Sequence, residues 1–266
     1  MDRAKLKTFV LLLLVLVNLT FLGLIAADAL QTMRLQREVR EELVWALRGM
    51  EISIEESQIP LSEEQALYFL SRDPLAEARI AANLLGHAEG VDGDSGVLRF
   101  VGLEDGRGMG EFRSGSFRFW LEDQKLGEES ISALLTQMEL TTRDSLITED
   151  SAGIRQTYSL LLHGLPVVNG EVTFLFSYGI LQEISGTALW GSTQRYAGSP
   201  QVDVTTALIS LAGHLIERAD VSRFESVEMG YYLLEETGLL ELRPVWVVRT
   251  DGGTFSIDRQ SGEIRY

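Results

Sequence analysis

The chain contains no cysteine. That excludes disulfides, thiol nucleophiles, thiolate zinc sites and cysteine-linked lipid anchors. Histidine is scarce, with three in 266 residues. None of His87, His163 and His214 has a second ligand at a metal-binding spacing such as H-E-x-x-H. Positive charge is in deficit: 23 Lys and Arg stand against 39 Asp and Glu, for a formal net charge of -16. Such a surface repels phosphate backbones, so nucleic acid is not a partner. It also disfavours peripheral binding to anionic lipid. No G-x-S-x-G elbow, phosphate loop or completed G-x-G-x-x-G is present. Gly106 to Gly110 reads as a hairpin tip. Asp92-Gly93-Asp94-Ser95-Gly96 opens like a calcium loop, but Leu103 stands where the twelfth-position glutamate belongs. No acid, base, nucleophile or metal set can be assembled, so the expectation is a non-enzyme without cofactor or metal.

What the chain does have is an unbroken apolar run from Phe9 to Ala27, preceded by Arg3, Lys5 and Lys7. As a helix at ~1.5 Å per residue it would span roughly 28 Å, near the thickness of a bilayer's hydrocarbon core. The basic flank predicts a cytoplasmic N-terminus and an extracytoplasmic remainder. Ala27-Asp28-Ala29 also matches a signal cleavage site. The run exceeds the ~7–15 residues of a signal core, so an uncleaved anchor is expected. Within it, Asn18 and Thr20 are the most polar residues and Gly23 is the one glycine. A side-chain amide can bond across helices and a small residue permits close approach. Asn18 bonding its own backbone is the alternative. After the run, Leu35, Val39, Leu43 and Leu47 form a stripe at helical spacing. It suits either a connecting helix packed on its own domain or a stalk that meets a partner helix.

Further on, Ile52 and Ile54 alternate as in a short strand. Ser62 and Gln65 have the spacing of a capping box, predicting a helix through Leu70. Asp73-Pro74 predicts a helix start, with its end at Gly86. Strands are expected at 97–101 and 116–120. A helix carrying Ile131, Leu134, Leu135 and Met138 follows, then strands at 154–162, 171–178 and 180–187. Asp203 caps a helix from Val204 to Ile216. Strands at 229–234, 239–242, 245–250 and 254–258 close the chain, with Asp251-Gly252-Gly253 as a hairpin turn. Helices do not alternate one-for-one with strands, which favours antiparallel sheet over parallel winding. The expected fold is α+β: a tail (1–8), a transmembrane helix (9–27), a juxtamembrane helix (28–50), then two related lobes (51–145 and 146–266). Each lobe would be antiparallel sheet with helices packed on one face.

Two stretches carry a family likeness. One runs from Arg155-Gln156-Thr157-Tyr158 through Gly164-Leu165-Pro166-Val167-Val168-Asn169-Gly170-Glu171-Val172 to Gly179-Ile180-Leu181-Gln182-Glu183-Ile184-Ser185-Gly186. The other joins Arg243-Pro244-Val245-Trp246-Val247-Val248 to Phe255-Ser256-Ile257-Asp258 and Ser261-Gly262-Glu263-Ile264. Both look like PepSY-type modules. With the basic, apolar N-terminus in a chain of this length, the layout resembles the YycI family. Arg3 departs from it, since an aromatic residue often stands third there. The resemblance implies a single-pass cell-membrane regulator. Its outer domain would bind and modulate a sensor histidine kinase of the WalK (YycG) type together with a YycH-like sister membrane protein. It implies no catalytic residues. A PepSY-type inhibitor or chaperone of an exported protease is the alternative. The candidate contact residues are Asn18, Thr20, Gly23, Leu35, Val39 and Leu43, with membrane lipid around the apolar helix.

Overall fold

The computed structural model of the chain describes residues 3–61, 64–86, 88–92, 97–102, 108–122, 130–196, 201–216, 221–236 and 239–266. Within the first helix, side chains are described at 13–24, 27, 31 and from 34 onward. The helices are α1 (Arg3–Gly49), α2 (Pro74–Leu85), α3 (Ile131–Gln137) and α4 (Val204–Leu215). The strands are β1 (Leu67–Arg72), β2 (Ala88–Asp92), β3 (Leu98–Gly102), β4 (Gly108–Arg113), β5 (Ser116–Leu121), β6 (Thr141–Asp150), β7 (Gly153–Leu162), β8 (Leu165–Ser177), β9 (Ile180–Thr187), β10 (Gly191–Tyr196), β11 (Phe224–Glu236), β12 (Leu239–Thr250), β13 (Gly253–Asp258) and β14 (Ile264–Arg265).

Two expectations are corrected. Among the described residues no helix is long and apolar enough to cross a membrane, so the transmembrane helix at 9–27 is not supported. The backbone there belongs to α1, which continues without a break into the polar stretch ending at Gly49. The separate antiparallel lobes are also replaced. The described strands, half of the chain against 30% helix, join in one mixed fourteen-stranded sheet. One sub-sheet runs β2-β3-β4-β5-β9-β8-β7-β6 and is antiparallel throughout. The other contains β10, β1, β12, β11, β13 and β14. They meet where Val167 of β8 pairs in parallel with Tyr231 of β11. The boundary expected at 145/146 lies inside β6.

Local signals explain the helix starts. The Asp73 carboxylate accepts from the Leu75 and Ala76 amides, and Pro74 needs no donor there. Asp203 caps α4 through the Thr206 amide. The helix expected after Ser62 is instead strand β1, and Ser62 itself lies outside the described residues. Gln65 is drawn into the interior: its amide donates to the Gly230 carbonyl at 2.8 Å and accepts from Arg259 at 3.1 Å. β1 is held between β10 and β12, and that pairing overrides local helix chemistry. Residues 108–113, taken from their glycines as part of a turn, form β4. Gly110 serves packing, because a Cβ there would lie 2.5 Å from the Phe119 ring.

Pro244 stands mid-strand rather than at a strand start. β12 has β11 along one side. On its other side β1 pairs as far as Leu242 and β13 takes over at Val245. Pro244 falls in that handover, and its carbonyl on that side accepts from the Arg259 amide at 2.9 Å. A strand residue's N–H and C=O point the same way, so the missing N–H of proline costs no ladder bond. Gly170 sits in β8 with no positive φ, and a Cβ there would lie 2.8 Å from Val167.

Three apolar cores result. The first packs α2 and α3 against Phe112, Phe117, Phe119, Phe174 and Ile184 of the long sub-sheet. The second packs Leu43 and Leu47 of α1, with α4, against Phe224, Trp246, Val248, Phe255 and Ile257. The third, Leu70, Val167, Tyr231, Leu233, Leu240 and Leu242, fills the seam. Val245, Val247, Phe255 and Ile257 are all buried. Removing a buried Phe side chain costs about 3–5 kcal/mol, against a whole-domain stability of about 5–15. Phe255→Ala should therefore lower the denaturant midpoint sharply or prevent folding. An unchanged midpoint would mean that the final hairpin is not integral to the second core.

Candidate partner-binding surface

α1 changes character along its length. Its last two turns are anchored, with Leu43 and Leu47 buried against α4. One and two turns earlier, the same stripe emerges: Val39 and Leu35 are about half exposed. They form one wall of a groove of about 250 Å³. The opposite wall is Ile59, Pro60 and Leu61, with Val204 at the start of α4. Arg40 lies on its rim, and a neighbouring depression is lined by Gln36, Arg37, Arg40 and Glu56. Arg37 also pairs with Glu41 one turn on, at 3.1 Å. Trp45 projects from this end of α1, 79% exposed. The result is an apolar slot edged by charges of both signs, with Arg40 on α1 and Asp203 at the start of α4.

The six residues picked from the sequence do not share one surface. Leu35 and Val39 line the groove, and Leu43 is part of the core. Asn18 and Thr20 are exposed and bond their own helix, to the carbonyls of Leu14 and Leu16. Gly23 faces open space. At about 100° per residue, Gly23 lies far around the helix from the Leu35–Leu43 stripe. The side chains described at 13–24 are exposed, Leu14, Leu19 and Phe21 among them. The sequence did not single out Ile59, Pro60, Leu61 or Val204. Their nearness to α1 is a tertiary contact with no periodic signature.

A second feature lies at the seam. Arg143 of β6 donates to both oxygens of Glu228 on β11, at 2.7 and 2.9 Å. Asp144 accepts from Arg249 of β12 at 2.8 Å. These pairs tie the edge of the long sub-sheet to the other one. They stand beside a cleft of about 410 Å³ whose lining includes Asn169, Tyr232 and Ser256. The hydrogen bond from Arg249 holds the Asp144 carboxyl below its ordinary value, and Glu228 raises Arg143. A third hollow, of about 380 Å³, lies on the outer face of β4, β5 and β9. There Glu111 accepts from Arg113 at 2.6 Å and Arg99 at 3.4 Å, and its carboxyl is likewise lowered, first by Arg113.

Among the described residues, no group of three or more His, Asp or Glu converges as a metal site. His163 sits at the β7–β8 turn against Tyr68, ring centroids 5.5 Å apart. His214 is on the exposed side of α4. His87 and the glycine-rich and calcium-like segments at 93–96 and 103–107 lie outside the described residues.

The residues of 155–186 and 243–264 that stood out in the sequence serve the fold. The Asn169 side chain is paired reciprocally with the Leu233 backbone, donating at 2.7 Å and accepting at 2.8 Å. Asp258 is fully buried and accepts from the Gln260 and Ser261 amides, which closes the turn that ends at Gly262. Those residues hold the fold together and leave the groove as the candidate contact. No family model matches the chain, and no curated protein matches it.

The seam cluster sets an acid response. Asp144 has a lowered folded pKa, so its contribution is present above the ordinary carboxylate value and fades as pH falls through the lowered one. Both partners are partly exposed, and such pairs contribute less than about 1 kcal/mol. Asp144→Asn should cost no more than that at neutral pH. It should also flatten the loss of stability on acidification in this window. A larger neutral-pH loss would mean that the pair is a principal tie between the sub-sheets.

Proposed function

We propose that this chain is a regulatory binding protein of the kind the YycI resemblance implies. It docks on a sensor histidine kinase of a two-component system, together with a sister protein. The observation that carries the reading is the groove at the base of α1. There a long helix leaves the folded body with Leu35 and Val39 exposed beside Ile59 and Leu61, and Arg40 and Asp203 stand at the rim. Helix-in-groove recognition uses this combination of apolar slot and charged edge. The occupant in this reading is a partner segment bearing an apolar anchor with charged residues beside it. Regulation needs only contact, and the groove offers contact without chemistry.

Val39→Asp puts a carboxylate on the apolar wall at a half-exposed position. It should lower co-purification of the kinase with the full-length chain at least tenfold, about 1.4 kcal/mol, while the melting temperature holds. Asn18→Leu, whose native amide is bonded to its own helix, should leave recovery unchanged. Equal recovery with Val39→Asp would remove the groove from consideration. Recovery of an exported protease in place of a kinase would favour the inhibitor reading.

The proposal also places the sheet body outside the cytoplasm. Because the chain has no cysteine, a single one at the fully exposed Tyr178 reports its side. It should react with a membrane-impermeant thiol reagent on intact cells. Labelling only after lysis would rule out this placement.

A further inference from the structure

β6 is an open edge. Among the described strands it pairs with β7 and no other, and every residue from Arg143 to Asp150 is exposed. Edge strands of this kind offer their outward N–H and C=O groups to another chain unless something guards them. Here the guards stand at the ends: Arg143 and Asp144 on one side, Glu149 and Asp150 on the other. Between them Ser145-Leu146-Ile147-Thr148 is uncharged, with Leu146 64% and Ile147 60% exposed. The register shift in the β6–β7 ladder falls between Thr142 and Ser145, so the central window itself is regular.

We propose that two copies of this chain associate through β6, antiparallel, with Leu146 opposite its own counterpart on a two-fold axis. Opposed residues in an antiparallel ladder point to the same face, so identical strands pair only in registers where one residue meets itself. Centred on Leu146, the register sets Arg143, which already holds Glu228, against Glu149 at both ends and Asp144, which already holds Arg249, against Thr148, and no like charges meet. Centred on Ile147, it would set Asp144 against Asp150, which is destabilising. Centred on Ser145, it would oppose Asp144 to Leu146 and Arg143 to Ile147. Of the three, the Leu146 register alone combines apolar contact at the axis with no like charges opposed and no charge set against an apolar side chain. It is an isologous contact, closed at two copies. The net charge of -16 on each copy opposes association. At physiological salt the Debye length is about 8 Å, so the charges at the contact outweigh the distant ones.

The test uses the full-length, cysteine-free chain in a nonionic detergent that masks the exposed apolar side chains of α1. Leu146→Cys, Thr148→Cys and Tyr178→Cys are oxidised under identical mild conditions. In the proposed register Cys at 146 meets itself. At 148 the two thiols are four steps apart, about 13 Å, beyond disulfide reach. Leu146→Cys should give a disulfide-linked dimer at least tenfold faster than the other two. Wild type should sediment as a dimer and Leu146→Lys as a monomer, since that exposed position tolerates lysine without loss of core. Comparable rates for the three cysteine variants, or a monomeric wild type, would overturn the pairing.

Discussion

The parallel contact between β8 and β11 is the constraint on which the rest of the architecture depends. It is short, a single Val167–Tyr231 pair in the ladder, yet it joins two sub-sheets into one. Three devices support it. Asn169 extends the pairing by substituting its side-chain amide for backbone groups opposite Leu233. Gly230 lets β11 pass close, because a Cβ there would lie 2.9 Å from the Pro166 carbonyl. The apolar cluster around Leu70, Leu240 and Leu242 then excludes water from the junction. This seam, with the ion pairs of Arg143 and Asp144 beside it, fixes the two larger cores relative to one another.

Buried charge reinforces the same region. The Arg259 guanidinium lies 4.3 Å from the Trp246 ring and donates to Gln65, and burial lowers its pKa. Trp246 in turn donates to the Val202 carbonyl at 3.0 Å. Arg72 closes a bidentate pair with the buried Glu77, at 2.6 and 2.8 Å, and also reaches the Phe112 carbonyl. That contact links the end of β1 to α2 and β4, across the two sub-sheets. Removing one partner of such a pair strands the other and is costly, whereas its net worth when intact is modest. These groups therefore specify which surfaces meet more than they add to stability.

The surface features follow from where this framework stops. Among the described residues α1 is gripped near its end, by α4 and the segment from Ile52 to Ile59, so its stripe is core at Leu43 and groove at Leu35. β6 is gripped only by β7 and by the ion pairs at Arg143 and Asp144, so its remaining length is an unpaired edge. Binding surfaces of this sort need a rigid support. The mixed sheet with its three cores supplies that support.

The sequence by itself determined what depends on neighbours in the chain. Asp73-Pro74 and Asp203 start helices because their carboxylates reach amides two or three residues on. Asp251-Gly252-Gly253 turns a hairpin, and Asp258 closes its own turn. The periods of 3.6 and 2 likewise expose α2, α4 and the final strands. The tertiary structure decided what depends on distant partners. Gln65 became a bridge to Gly230 and Arg259 in place of a cap, and residues 67–72 became a strand between β10 and β12. The polar stretch around the expected 145/146 boundary became β6, because pairing with β7 needs no apolar alternation. The apolar run at 9–27 had the length of a membrane span on paper, yet among the described residues no helix meets that standard. Half of the candidate surface was legible in Leu35 and Val39. The other half, Ile59 to Leu61 and Val204, was not, because only folding brings it against α1.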